Sequence, residues 1–283
     1  MSPIIVAVSI VLVAVALYAL DRFAAKVLDP APRPIERSVP EIGIPYEDLS
    51  IESGGHQLAG WLIKPAQAQP FEPLVLVAHG WSAHHGVVLR LAEPLAAAGH
   101  DVLLFDVRGH GRNPRISYVT IKDFRDDLMA ITRYAAKRFP DRQLVVVGHS
   151  MGGSAGVLAA ADGAPIDGLA LIAAPSDILR VTAEFLGRRG APGGLLVNLM
   201  RPSFWWRLGG GLRPFTPHRR IREVDVPIII LQPEHDQRVA WDHAERLSAG
   251  SGVPIGLVKG REHTDVLSAP QTLRAIEDFL ERL

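Results

Sequence analysis

The chain has no cysteine. This excludes disulfides, thiolate metal sites and cysteine nucleophiles, and leaves the redox compartment open. It also lacks an excess of either charge: 30 acidic and 30 basic residues cancel to a formal net charge of zero. Nothing global therefore points to nucleic acid or another polyanionic partner. The local clusters Arg188-Arg189 and Arg219-Arg220-Ile221-Arg222 read as solvated surface. There is no internal repeat. His79, His84 and His85 crowd together, but no carboxylate-rich motif of ligand spacing accompanies them. No metal and no cofactor is expected.

Apolar residues are plentiful, at 48% of 283 residues. The first of them stand apart. Pro3 to Leu20 is an 18-residue run without a charge. As a helix it spans about 27 Å, near the thickness of a bilayer core. A cleaved signal peptide carries a basic start and a small-x-small site after the apolar run. Here only Met1 and Ser2 precede it, and Ala14-Val15-Ala16 lies inside it. An uncleaved transmembrane anchor over residues 1–28 is the favoured reading. Arg22, Lys26, Arg33 and Arg37 follow it, which would put the following domain on the cytoplasmic side of the membrane. Residues 29–45 hold five prolines and read as an extended linker.

The remainder, 46–283, alternates strands and helices. Tyr46–Ser53 and Gln57–Ile63 flank Gly54-Gly55 as an antiparallel hairpin. Pro65–Pro73 reads as a loop. Leu74–Ala78, Val102–Phe105, Leu144–Val147, Gly168–Ala173, Pro227–Leu231 and Pro254–Val258 are apolar runs suited to strands buried on both faces. Helical stretches fall between them: Val87–Ala98, a long one after the Thr120-x-x-Asp123 capping box, Trp241–Ala249 and Gln271–Leu283. The pattern predicts an α/β fold with a doubly wound, mostly parallel sheet. About 50 residues, from Ser176 to Val226, contain no core strand. With Phe204, Trp205 and Trp206 among mixed Arg and Gly, they read as a small helical cap over the carboxyl edge of the sheet. A purely structural insertion is the other reading.

The most informative stretch is Gly148-His149-Ser150-Met151-Gly152, between an apolar strand and a small-residue helical run. Gly-x-Ser-x-Gly in that setting presents a serine on a strained turn above the sheet edge, with the Met151 N–H turned toward a developing oxyanion. A serine hydroxyl needs a base, and the base needs a carboxylate to hold it. Asp236 follows one late strand and His263 the next, 27 residues on. Asp177, also after a strand, and Glu234 are rival acids, and His235 is a rival base. His149 is expected to pack against the sheet, and Arg108 and His110 to stabilise a turn.

Residues 46–283 resemble an α/β hydrolase of the serine esterase, lipase and lysophospholipase type. Five motifs carry the resemblance in order: His79-Gly80-Trp81, Asp106-Val107-Arg108-Gly109-His110-Gly111, the Ser150 turn, Val226-Pro227 through Asp236-Gln237-Arg238-Val239, and Gly260-Arg261-Glu262-His263. The resemblance implies Ser150 as nucleophile, His263 as base and Asp236 as its orienting acid. It implies an oxyanion hole from the N–H groups of Trp81 and Met151. The expected chemistry is hydrolysis of a small-molecule or lipid ester, with Phe204, Trp205 and Trp206 contacting substrate. A thioesterase, a serine peptidase and a cofactor-free perhydrolase use the same triad, and a non-catalytic binding protein shares the fold.

Overall fold

The computed structural model describes residues 2–65 and 72–283. The loop expected over Pro65–Pro73 lies mostly outside them. Eight strands form one sheet: β1 (Tyr46–Ser53), β2 (His56–Ile63), β3 (Leu74–Ala78), β4 (Val102–Phe105), β5 (Leu144–His149), β6 (Gly168–Ile172), β7 (Ile228–Pro233) and β8 (Ile255–Val258). Their spatial order is β1-β2-β4-β3-β5-β6-β7-β8. β1 and β2 pair antiparallel, β2 pairs antiparallel with β4, and every later pairing is parallel. The expected mostly parallel sheet is thus present, with the Gly54-Gly55 hairpin at one edge.

Alternation along each buried strand feeds two cores. Leu74, Leu76, Leu144 and Val146 point to one face, where α3 (Ile121–Arg138), α4 (Met151–Ala161) and α8 (Trp241–Ser251) cover them. Val75, Val77, Val145 and Val147 point to the other, beneath α2 (His85–Ala97) and α9 (Pro270–Leu280). Both faces of β3, β5 and β6 are buried, which is why these strands read as unbroken apolar runs. The capping box at Thr120 is formed, the Asp123 carboxylate accepting from the Thr120 N–H at 2.7 Å.

Between β6 and β7 lies the cap: α5 (Ile178–Gly187), α6 (Gly193–Arg207), a short turn of helix at Arg213–Phe215, and α7 (Pro217–Arg220). The N-terminal run is a 25-residue helix, α1 (Pro3–Val27). Its most apolar 18-residue window has a mean hydropathy of 2.7, and none of that window is buried in the protein. Only the last turns of α1 pack. Ala24 joins Leu186, Val197, Met200 and Phe204 of the cap in a third apolar cluster. Asp21 accepts from Ser203 Oγ and from the Arg207 guanidinium, both at 2.5 Å, on the same cap helix.

Residues 29–45, expected to stand off as a linker, lie along the domain. Arg37 binds Glu93 through two hydrogen bonds, His84 Nε2 donates to the Pro34 carbonyl at 3.1 Å, and Val39 is fully buried. Proline fixes the extended backbone, and these contacts place it on α2.

Candidate active site

The parallel strands deliver four loops to one edge of the sheet. β5 ends at His149, and Ser150 follows with φ +54° before α4 begins. That is a conformation side chains rarely adopt, and the packing around it imposes it. Gly148 passes so close to Gly153 that a Cβ there would lie 2.4 Å from the Gly153 Cα. The strand and helix therefore meet tightly, and Ser150 projects at the turn. Its N–H donates to the Ile172 carbonyl of β6 at 2.8 Å.

β3 ends in His79-Gly80-Trp81. A Cβ on Gly80 would stand 2.8 Å from the Ser150 Cβ, so only glycine leaves the serine its space. His79 is fully buried and fixes this loop from both sides. Its Nδ1 donates to the Gly80 carbonyl at 2.8 Å, and its Nε2 accepts from the Val107 N–H at 3.0 Å. Burial lowers the His79 pKa, which keeps it neutral for those roles. Among the described residues, the N–H groups of Trp81 and Met151 donate to no protein acceptor. The Trp81 ring stacks on Phe124 at 6.2 Å and meets His110 edge-on at 5.8 Å. Burial pushes the His110 pKa down to about 3, so this ring too stays neutral.

Asp236 follows β7 and His263 follows β8. Asp236 Oδ2 accepts from His263 Nδ1 at 2.8 Å, and Oδ1 takes the N–H groups of Arg238 at 2.8 Å and Val239 at 2.9 Å. Burial pushes the Asp236 carboxyl up. The His263 imidazole and the two N–H donors outweigh it and hold the group below the usual carboxylate range. His149 contributes more than packing. Its Nε2 donates to the His263 carbonyl at 2.7 Å, which ties the serine turn to the histidine loop. Its own pKa is lowered to about 3 by burial, reinforced by His263.

The rival residues occupy other posts. Asp177 caps α5, accepting from the Arg180 N–H at 3.1 Å. Glu234 accepts from the Gly260 N–H at 2.8 Å and braces the histidine loop. His235 is exposed beside Glu234. Arg108 pairs with buried Asp127, holding its turn to α3. His85 donates to Asp106 at 2.9 Å. Glu184, Asp242 and His243 bring potential metal-ligand atoms within 4.8 Å of one another. Arg180 already pairs with both carboxylates there and supplies the positive charge.

The expected substrate-contact residues divide. Phe204 is buried and lines a cavity of about 600 Å³ between α5, α6 and the turn before α7. Trp205 and Trp206 are 48% and 76% exposed and do not line it. Ser150, His263 and Trp81 are not among its lining residues either. Arg219, expected as plain surface, lines this cavity. Arg220 reaches into the domain and binds Asp162 at 2.7 Å and the Ala161 carbonyl at 3.2 Å, pinning the cap to α4. A lone arginine in a basic run carries no sequence signal for such a contact.

Known proteins resemble parts and the whole of this chain. A family model described as serine aminopeptidase, S33, matches residues 69–189. A monoacylglycerol lipase of Mycolicibacterium smegmatis is 37% identical over 82 residues, 28% of this chain and 29% of that protein. A monoglyceride lipase of Rattus norvegicus is 31% identical over 123 residues, 42% of this chain and 40% of that one. The matches thus span well under two thirds of the length of these curated relatives. An esterase of Pyrococcus furiosus superposes with a TM-score of 0.70 at 18% identity, over 90% of this chain and 99% of that one. With its strand order and this superposition, the chain has the α/β-hydrolase fold.

Proposed function

We propose that the protein is a serine hydrolase of carboxylic esters, with hydrophobic or acyl-lipid esters as its substrates. The observation that carries this reading is the shared edge. Ser150 sits on a strained turn beneath Gly80, and the hydrogen-bonded Asp236–His263 pair is tied to that turn through His149. Ser150 Oγ attacks the acyl carbon and gives its proton to His263 Nε2, while Asp236 holds Nδ1–H and stabilises the imidazolium. The oxyanion that forms takes the idle N–H groups of Trp81 and Met151. His263 then protonates the leaving alkoxide. The acyl-enzyme that remains is opened by a water that His263 deprotonates, which releases the acid and restores Ser150.

The resemblance to proteins named as monoglyceride lipases and esterase supports an ester over an amide. The serine aminopeptidase description keeps a peptidase as the second reading. A fluorophosphonate probe tests the class. Wild-type protein is expected to be labelled and Ser150→Ala is not; folded wild-type protein that resists labelling ends the proposal. Turnover of monoacylglycerols against aminoacyl anilides separates ester from peptide chemistry.

We infer further that α1 anchors the protein in a bilayer, with the catalytic domain on the cytoplasmic side. The docking of Asp21 and Ala24 onto α6 supports an anchor retained in the folded protein rather than a cleaved leader. Trp205 and Trp206 then serve as interfacial residues rather than pocket walls. Leu195, Leu199, Pro202 and Trp206 recur at helical spacing and form an exposed stripe on α6. The stripe sits about 100° around the helix from the α1-facing side (Met200, Ser203, Arg207) and roughly opposite the cavity side (Val197, Arg201, Phe204). An apolar stripe with tryptophan beside a membrane helix suits the headgroup layer.

A further inference from the structure

The cap cavity has walls of two kinds. Ile121, Leu179, Val197, Phe204, Leu208 and Phe215 make an apolar lining, and Leu28, just past α1, completes it. Arg201, Arg213 and Arg219 also border it, and among the described residues none of the three has a carboxylate within 4.0 Å. Of the other charges at the wall, Arg180 is paired with Glu184 and Asp242, and Asp177, the α5 cap, keeps its negative charge, so the wall is net positive. At about 600 Å³ the space is that of a small-molecule site.

Three guanidinium groups that, among the described residues, lack ion-pair partners border an apolar chamber, and a neutral ligand offers them only ordinary hydrogen bonds. They gain charge-assisted, bidentate hydrogen bonds from a carboxylate or a phosphate. The apolar lining in turn gains from covering a hydrocarbon chain. The position of Leu28 sets the cavity beside the exit of α1, where a bilayer would supply such a molecule. We propose that the cap cavity binds a single-chain anionic amphiphile, its acyl chain against the apolar lining and its oxyanion on Arg201, Arg213 and Arg219. Ser150, His263, Trp81 and Met151 do not line this cavity, so the inference does not rest on the hydrolase reading.

The test uses the full chain in phosphatidylcholine nanodiscs, carrying Ser150→Ala so that no probe is consumed. Equilibrium dialysis measures binding of oleate, oleoyl lysophosphatidate and monooleoylglycerol, which share a chain and differ in head. At least one anionic probe is expected to bind tenfold or more tighter than monooleoylglycerol, and the tighter of the two identifies the headgroup. The triple variant R201Q/R213Q/R219Q is expected to erase that difference and leave monooleoylglycerol binding unchanged. Because all three side chains are exposed, the variant keeps the fold, and circular dichroism checks this. Equal binding of neutral and anionic probes overturns the proposal. So does an equal loss in R189Q/R222Q, two arginines outside the cavity, since that would mark general surface charge.

Discussion

In the sheet, β3, β5 and β6 leave no side chain exposed, and two cores cover both faces. In the cap, α6 buries Gly193, Val197, Met200 and Phe204 and leaves Leu195, Leu199, Trp205 and Trp206 in the open. The two regions hold similar kinds of residue and use them differently. The sheet spends its apolar surface on itself and becomes a rigid frame, so the loops at its edge hold Ser150, Asp236 and His263 within hydrogen-bonding networks. The cap keeps apolar and cationic surface unspent, toward a cavity and toward the side where α1 docks. On the proposed reading, chemistry falls on the part that packs completely, and ligand and membrane contact on the part that does not.

The sharpest way to break this division is at the frame. Ser150→Ala is expected to lower ester turnover by about 10⁴-fold or more with no change in melting temperature. Asp236→Asn should cost on the order of 10³-fold or more, whereas Asp177→Asn, which keeps an N-cap acceptor on α5 and removes only a charge, should leave kcat within a few-fold. The reverse ranking in a steady-state assay would move the acid to the cap.

A matched pair of small substitutions separates the halves by readout. A Cβ at Gly80 stands 2.8 Å from the Ser150 Cβ, and one at Gly193 stands 2.0 Å from the Ala183 carbonyl oxygen. Gly80→Ala is expected to reduce kcat about tenfold or more at nearly unchanged stability, since displacement falls on the serine turn. Gly193→Ala is expected to destabilise α5–α6 packing by about 1–3 kcal/mol, read as earlier proteolysis of the cap. Loss of kcat in both without loss of cap stability would show that the two regions act as one.

A milder change tests the stripe. Leu195→Ser with Leu199→Ser should lower turnover of monoacylglycerol presented in vesicles several-fold and leave a soluble short-chain ester untouched. Equal effects on both substrates would place these side chains in catalysis rather than at an interface.

The smallest effect at neutral pH lies in the buried histidines. His110 and His149 have pKa values lowered from 6.5 to about 3 by burial. Each holds fewer protons folded than unfolded between those values. Their stabilising contribution is full above about pH 6.5 and is lost as pH falls toward 3, at about 1.4 kcal/mol per pH unit for each ring. Urea denaturation of His149→Gln across pH 7 to 4 should show a slope reduced by about one proton. An unchanged slope would mean that this ring is already protonated in the folded protein.

Much of the frame was legible because its signals are local. Fully buried parallel strands read as apolar runs, the Thr120 box marks a helix start, and the small residues around Ser150 mark a close strand–helix approach. Asp236 and His263 were legible because each follows a strand in an alternating chain. Contacts between distant residues carry no such signal. His149 reaching the His263 carbonyl, Arg220 crossing to Asp162, and Asp21 meeting Arg207 join positions 114, 58 and 186 residues apart. Trp205 and Trp206 show the same limit: the sequence reading expected them to contact substrate, and helix packing alone chose which side of α6 they occupy, away from the cavity.

The sequence by itself determined the alternating strands and helices, the apolar N-terminal run, the serine turn and the order of the motifs. These depend on periodicity, on residue size and on backbone preference, all of which act within a few residues. Only the tertiary structure decided that α1 docks on the cap, that the cap borders a cavity with three arginines that, among the described residues, have no carboxylate partner, and that Trp205 and Trp206 face outward. Those outcomes depend on which surfaces meet when the two helical layers and the cap close on the sheet. The physical reason is that burial and charge pairing are properties of contacts, and the contacts exist only after the chain has folded.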